Sequence, residues 1–393
     1  MIVPSAIGLS HLTRMLLIAH ELAARDTQVS FAFNIENKLL KQYGFEVFLI
    51  PEVKIKDFSS NVFAAYSPSF VKQCVKDELT AIKTFQPDLI IGDFRHTAAI
   101  SSRVAKIPYI SVVNAYMTDF FNPVDVMIPK AERPFKHFWA SLAAKPIQAI
   151  QKRALATHFR AVARGYGIKD LVSLYDFLKG DLTLIADVPE FCGLHKIPPN
   201  YRYIGPLIWE GLNGELPEFV ADLNSSKKII YATAGNTGSE RLIELVFDAF
   251  KDDPSYEVVL TTGAFLNPHK LPPAKNIHIE KFIPGSKIMP HCRAVIHCGG
   301  NGTTYQALVN GRPSLVLPFN NDQRINAWLV KKNRVGFPCS PGAITGKHIR
   351  AMIDHLIQDA DIQQNLQKFK QLLSTTDGPK SAAEHVMRFL ANK

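Results

Sequence analysis

The sequence predicts an α/β fold: two doubly wound, Rossmann-type domains that face each other across a cleft. Three observations carry this. The 393 residues amount to two or three domains at about 150 residues each. In both halves, short apolar runs alternate with segments of helical periodicity, the pattern of βαβ units and a parallel sheet. Near the middle, residues 203–218 (YIGPLIWEGLNGELPE) are rich in Gly and Pro and have no periodicity, as a linker would be. The expected division is an N-terminal domain over 1–204, a linker over 205–222 and a second domain over 223–376. A terminal helix within 377–393 can return to the first domain.

The elements follow in order. MIVP is a brief first strand, followed by a turn (AIGLS) and a helix with Leu12, Leu16, Ala19 and Leu22 on one face. Further strands are expected at 29–34, 46–50, 89–92 (closed by Asp93) and 110–113. The second half repeats the arrangement, with strands at 228–233, 257–261, 277–280, 294–298 and 314–318. Helices are expected at 239–250 and 303–310. Asp377-Gly378-Pro379 breaks the chain before a last helix at 381–390. Parallel strands joined by right-handed crossovers place ligands beyond the strands' carboxyl ends. The residues just after each strand are therefore where chemistry is expected.

Composition narrows the function. A chain that is 47% hydrophobic and 20% charged is not disordered. No apolar run approaches the ~18 residues of a membrane-spanning helix. The N-terminus lacks the basic start and apolar core of a secretory signal, so a cytoplasmic location is expected. Five cysteines without a CxxC pair indicate neither a disulfide framework nor a zinc knuckle, and no spaced Asp or His cluster suggests a metal site.

The net charge of +10 is concentrated locally. Residues 129–164 hold eight cations (Lys130, Arg133, Lys136, Lys145, Lys152, Arg153, Arg160, Arg164) against Glu132 alone, and 8 − 1 gives +7. Phe135, Phe138 and Trp139 accompany them. Such a segment suits peripheral contact with an anionic membrane, or a solvated helix face. Nothing elsewhere in the chain supports nucleic-acid binding.

The most informative stretch is 294–326, AVIHCGGNGTTYQALVNGRPSLVLPFNNDQRIN. A strand runs through Gly299-Gly300-Asn301-Gly302-Thr303 into a helix. Glycines admit an anion close to the backbone, and unpaired helix amides hold partial positive charge against it. The turn is spaced from Gly311-Arg312-Pro313 and Asp322-Gln323 in a way that resembles the nucleotide-sugar signature of the UDP-glycosyltransferase family. These are inverting enzymes with the two-Rossmann-domain GT-B fold. Upstream, Phe282-Ile283-Pro284 is similar to the family's Trp-Val-Pro, whose ring stacks on the base and whose next backbone group reads it. Gly235-Asn236 resembles a Gly-Ser pair that contacts the diphosphate. The resemblance implies that Asp322 and Gln323 hydrogen-bond the transferred sugar.

Departures are also visible. Cys298 stands where the family's diphosphate-binding histidine falls, and His297, one place early, would point to the opposite side of a strand. The backbone amides of Gly300 to Thr303 are then left to carry the phosphates, unless the strand end is irregular. Gln306 replaces the ribose-binding glutamate and offers no charge-assisted bond. Gly285 replaces a frequent glutamine. UDP and dTDP both remain open as the donor nucleotide.

In the first half, Gly8-Leu9-Ser10-His11-Leu12-Thr13-Arg14 resembles the family's Gly-His-x-x-Pro or Gly-His-x-x-Arg turn, with Ser10 in place of a glycine. The resemblance implies that His11 is the general base and that Asp93, ending a buried strand, orients it. An imidazole is suited to taking a hydroxyl proton near neutral pH, and a carboxylate on its other nitrogen fixes the tautomer. His96 is expected to be a surface or structural residue.

The expectation is an inverting, metal-independent hexosyltransferase using a UDP- or dTDP-sugar as co-substrate, no further cofactor, and a hydroxyl of an apolar small molecule or lipid as acceptor. A nucleotide-sugar epimerase on the same fold is the alternative, as is a non-catalytic nucleotide-sugar-binding protein. A dinucleotide-dependent oxidoreductase is disfavoured because neither glycine turn reads GxGxxG.

Overall fold

A computed structural model describes residues 1–5, 8–34, 38–50, 66–122, 124–127, 134–211, 215–236, 238–263, 265–342 and 344–392. Residues 6–7 of the first turn, 212–214 of the expected linker, and 129–133 of the basic stretch (with Lys130, Glu132 and Arg133) lie outside the described residues. Two compact units are present. Met1–Leu207 together with Asp377–Lys393 form the first, and Ile208–Thr376 form the second.

The first unit holds a seven-stranded sheet of β1 (Ile2–Pro4), β2 (Ser30–Phe33), β3 (Glu46–Leu49), β4 (Ile90–Asp93), β5 (Tyr109–Val113), β6 (Leu182–Ile185) and β7 (Tyr201–Tyr203). Their spatial order is β3-β2-β1-β4-β5-β6-β7, and every pairing is parallel. Helix α1 (Leu9–Ala23) follows β1 because Leu12, Met15, Leu16, Ala19 and Leu22 recur at helical spacing. That stripe packs into one core with Ile2 of β1, Phe31 of β2 and Ile110 of β5. On the way to β5 the chain forms α2 (Lys38–Gln42), α3 (Pro68–Phe85) and α4 (Ala98–Ala105). Beyond it come α5 (Val124–Met127), α6 (Pro134–Leu155), α7 (Thr157–Gly165) and α8 (Pro189–Cys192).

The second unit repeats the plan with six strands. They are β8 (Lys228–Thr233), β9 (Tyr256–Thr261), β10 (Ile277–Glu280), β11 (Ala294–His297), β12 (Ser314–Val316) and β13 (Gly336–Pro338), ordered β10-β9-β8-β11-β12-β13 and parallel throughout. Between and after them lie α9 (Glu240–Phe250), α10 (Gly285–Ile288), α11 (Asn301–Val309), α12 (Asn321–Lys332), α13 (Gly346–Gln358) and α14 (Ala360–Ser374). Both sheets reverse direction of winding at one place. In the first unit this is between β1 and β4, in the second between β8 and β11. Such switch points open a crevice at the strands' carboxyl ends, where α/β sheets bind their ligands.

The final helix, α15 (Gly378–Ala391), packs against α1, with Ala382, Ala383 and Val386 buried in the first unit's core. Of the expected linker, Leu207 joins the first core and Val220 the second. Strand 294–298 ends one residue earlier than expected, at His297, which leaves Cys298 in the turn. The sequence reading also omits β6 and the edge strands β7 (YRY) and β13 (GFP). Short edge strands carrying Arg, Gly or Pro show no apolar run to read. Among the described residues no helix is long and apolar enough to cross a membrane.

Gly378 sets how α15 starts, because a Cβ there would lie 2.2 Å from the Pro206 carbonyl oxygen. Gly378→Ala is expected to lower the unfolding free energy by roughly 1–3 kcal/mol. Gly165→Ala, where a Cβ meets nothing within 4 Å, should not lower it. Urea denaturation of the two variants checks this.

Candidate active site

At the first switch point, β1 and β4 run side by side with Pro4 opposite Asp93. Asp93 closes β4 and is fully buried. An isolated carboxylate could not remain ionised there, so its partners decide its state. Arg14, from the second turn of α1, grips it with two bonds: Nε to Oδ2 at 3.0 Å and Nη2 to Oδ1 at 2.6 Å. Nδ1 of His11, one turn earlier on the same helix, lies 3.0 Å from Oδ1. Burial alone would push the Asp93 carboxyl up, but the charges of Arg14 and His11 and their hydrogen bonds hold it below its ordinary value. The carboxylate thus accepts a proton-bearing Nδ1 and leaves Nε2 as the basic face of the ring.

Arg14 is itself only 7% exposed, and a third donor is engaged. Nη1 donates to Oδ1 of Asn114 at 2.8 Å, just after β5. The Asn114 amide donates in turn to Asp187, just after β6, at 3.3 Å, and Asp187 also accepts the Ala115 N–H at 2.7 Å. A buried polar chain therefore links the carboxyl ends of β4, β5 and β6 to α1.

The loop after β4 completes the setting. Phe94 adopts φ +50°, a left-handed conformation that costs a bulky side chain about 1–3 kcal/mol. Its ring then stacks on His11, with centroids 5.4 Å apart and planes 9° from parallel. Glu78 of α3, fully buried, anchors this loop through Arg95 Nε (2.7 Å), Thr97 Oγ1 (2.5 Å) and Ser101 Oγ (2.7 Å). His96 is 3% exposed and packs against Phe94 and Phe159. It is structural, not a surface residue.

At the second switch point the loops after β8 and β11 come together. Gly235 takes φ +58°, its N–H donating to Thr233 Oγ1 at 3.0 Å, and Asn236 beside it is exposed. Gly299 takes φ +94°, where a Cβ would lie 2.8 Å from the Gln323 carbonyl oxygen, so no other residue fits. Asn326 of α12 holds this turn through a 2.8 Å bond to the Gly299 carbonyl. Gly300 is then the N-cap of α11 and supplies no side-chain acceptor for its amides. The Cβ positions of Gly300 and Gly302 face open space. The amides of Asn301, Gly302 and Thr303 form the positive end of a helix that an anion can approach.

His297 and Cys298 turn inward. Nδ1 of His297 accepts the Gly299 N–H at 3.0 Å, and burial pushes the imidazole down to about 3, so it is neutral. Cys298 departs from the expected phosphate contact: its Sγ is buried, 3.5 Å from the Ala234 carbonyl. Burial pushes that thiol up to about 11. It ties the end of β11 to the Gly235 turn.

Five further candidate positions remain in the second unit. Phe282 is more than half exposed, and its ring lies 6.3 Å from that of Trp209. The side chain of Ile283 is core. Gln306 donates from Nε2 to the Trp209 carbonyl at 3.4 Å, and its Oε1 fills the space a Cβ on Gly285 would need. Asp322, in the first turn of α12, is exposed. Gln323 corrects an expectation: it is 2% exposed, and its Oε1 accepts the Phe319 and Asn320 N–H groups in a capping box. That oxygen shapes the loop and is not offered to a sugar. Among the described residues no group of three His, Cys, Asp or Glu is placed to hold a metal.

The sequence reading includes Arg14 in its turn motif but gives it no role, and Phe94, Asn114, Asp187 and Trp209 escape it. A signal existed for two of them: Asn114 and Asp187 each follow an apolar run, ISVV and LTLIA, at a strand's carboxyl end.

Two measurements test this site. Arg14→Leu leaves Asp93 buried without its bidentate partner and should cost about 3–5 kcal/mol in urea unfolding. Because the Asp93 carboxyl is held below its ordinary 3.8, its stabilisation is present above about pH 4 and lost as pH falls through the lowered value. Wild type should therefore lose stability more steeply than Asp93→Asn between about pH 4 and pH 2. Parallel curves would contradict the ionised buried state.

Known proteins share the fold. Residues 250–388 match the family model for the erythromycin biosynthesis protein CIII-like C-terminal domain. A PGL/p-HBAD biosynthesis glycosyltransferase of Mycobacterium tuberculosis is 28% identical over 379 residues, covering 92% of this chain and 85% of its own. The glycotransferase of kitacinnamycin superposes with TM-score 0.76 at 18% identity, covering 98% of this chain and 97% of its own. The glycosyltransferase VinC, solved in complex with dTDP, superposes with TM-score 0.72 at 18% identity, covering all of both chains. With two parallel-sheet domains like those of solved GT-B enzymes and relatives named as glycosyltransferases, the chain has the GT-B fold and is a glycosyltransferase.

Proposed function

We propose that this glycosyltransferase moves a sugar from a dTDP-sugar to a hydroxyl of an apolar or lipid acceptor, by a single displacement that inverts the anomeric centre. The observation that carries this reading is the His11–Asp93 pair. Nδ1 of the imidazole is held on a buried carboxylate, which leaves Nε2 to take the acceptor's proton as its oxygen bonds to the anomeric carbon. The ionised Asp93 stabilises the imidazolium that forms, and Arg14 keeps Asp93 ionised and fixed. Both Asp93 oxygens are occupied in a fully buried position, so this carboxylate is no nucleophile. Direct displacement follows.

The bond broken is that between the anomeric carbon and the diphosphate. The leaving group's negative charge is met by the amides of Asn301, Gly302 and Thr303 and by the Gly235-Asn236 turn. The reading assigns no role to a metal, because these fixed dipoles answer the charge. Phe282 offers its ring to the base, the Ile283 backbone reads the base edge, and Asp322 hydrogen-bonds a sugar hydroxyl.

dTDP is favoured over UDP by Gln306. Its Nε2 is engaged with Trp209, and it carries no charge for a second ribose hydroxyl, which deoxyribose lacks. The likeness to VinC, solved with dTDP, supports the same choice.

His11→Ala should reduce transfer by about 10²- to 10⁴-fold while dTDP affinity stays within about twofold. Equal loss of both would contradict its role as base. Calorimetry should find dTDP bound roughly three- to tenfold more tightly than UDP, one hydrogen bond's difference. Equal affinities would return UDP to the donor site. Sugar release that needs no acceptor hydroxyl, or an epimerised donor, would favour the alternative chemistry.

A further inference from the structure

Nine large hydrophobic side chains are exposed among the described residues, and six of them lie on α6: Phe135, Phe138, Trp139, Leu142, Ile147 and Ile150. Each is more than half exposed, Phe135 by 77% and Ile150 by 68%. Phe135, Phe138, Trp139 and Leu142 fall at i, i+3, i+4 and i+7, so they share one face. Ile147 and Ile150 extend the apolar surface beyond Pro146. A concentration of this kind exceeds the scattered apolar residues of an ordinary surface and marks a site of association.

The charge around it says with what. Residues 134–165 contain six Lys and Arg and no Asp or Glu. Lys136 and Arg153 are exposed on α6 itself, and Arg164 is exposed on α7. Lys152 is drawn inward, 3.7 Å from Asp119 and 4.1 Å over the Tyr175 ring, and so helps anchor the helix. His158 and Phe159 of α7 fix its far end, through a 2.6 Å contact to the Tyr66 carbonyl and full burial of the phenyl ring. The result is a helix tied down at its C-terminal end, apolar on its exposed face, with cations along it and no acid.

We propose that α6 is an interfacial helix that seats the first unit on an anionic lipid bilayer. Its aromatic and aliphatic side chains would enter the headgroup–acyl boundary while Lys136 and Arg153 meet lipid phosphates. Its length and hydropathy do not let it cross the bilayer. The proposal extends the lipid-acceptor reading by supplying the surface from which such an acceptor is drawn, yet it is testable without turnover.

The test is flotation of the full chain with phosphatidylcholine vesicles, with and without phosphatidylglycerol. Wild type is expected to float with the anionic vesicles at least tenfold more than with neutral ones, and less so as salt rises. Trp139 emission should shift to the blue on binding. The triple variant Phe135→Ser, Trp139→Ser, Ile150→Ser should remain unbound, and the pair Lys136→Glu, Arg153→Glu should lose the anionic preference. All should keep dTDP affinity, which reports that the chain is folded. The single Ile150→Ser serves if the triple fails to fold. Absence of flotation by wild type, or unchanged flotation by these variants, overturns the proposal. Loss of turnover on a water-soluble acceptor with flotation unaltered also overturns it and makes α6 an acceptor wall. Failure of flotation with transfer intact leaves the reading of the active site standing.

Discussion

The molecule's chemistry depends on one buried charge. Asp93 lies at the end of β4 with no access to water, and an ionised carboxyl there survives only because Arg14 and His11 surround it. Burying both charges costs several kcal/mol per ion, and the bidentate geometry is what offsets it. The arrangement has a consequence for the ring. Asp93 cannot turn away to solvent, so His11 cannot exchange tautomers without losing its partner. Phe94 adds a second restraint by stacking on the imidazole from a strained backbone position, and Glu78 holds the loop that bears it.

At the second switch point the same economy of means appears with backbone in place of side chains. The histidine expected to reach a phosphate is absent from its position, and its neighbour His297 is neutral and folded into the core. What remains is a set of amides at the start of α11, exposed because Gly299 bends the chain left-handed and Gly300 brings no competing cap. Asn326, buried on α12, holds that turn through the Gly299 carbonyl, while Gln323 caps the same helix through the Phe319 and Asn320 amides. Anion binding by fixed dipoles needs such rigidity, since the amides gain nothing if they must reorganise around the ligand.

Much of this was legible in the residues. The interior strands of both sheets are continuous apolar runs because parallel strands are covered on both faces, and all of them except the omitted β6 appear within a residue or two of their expected bounds. His11 and Asp93, 82 positions apart, are paired in the sequence only through the family resemblance of the turn and strand end that carry them. Arg14 stood in the same turn, but nothing local says that its guanidinium is buried. Asn114 and Asp187 acquire their places only when β5 and β6 stand beside β4. The burial of Gln323 was illegible for a similar reason, since an Asp-Gln pair reads alike whether the amide faces a ligand or caps its own helix. Cys298 shows the cost of one residue: with β11 ending at His297, the thiol meets the Ala234 carbonyl and leaves only backbone amides at the start of α11.

The most direct measurement is the tautomer of His11 by long-range ¹H–¹⁵N correlation in the ¹⁵N-histidine-labelled protein at alkaline pH. A proton on Nδ1 with Nε2 unprotonated is the expected result, since the Asp93 carboxylate can only accept. A proton on Nε2, with Nδ1 bare beside Asp93, would contradict it and remove the ring as the group that takes up the acceptor's proton.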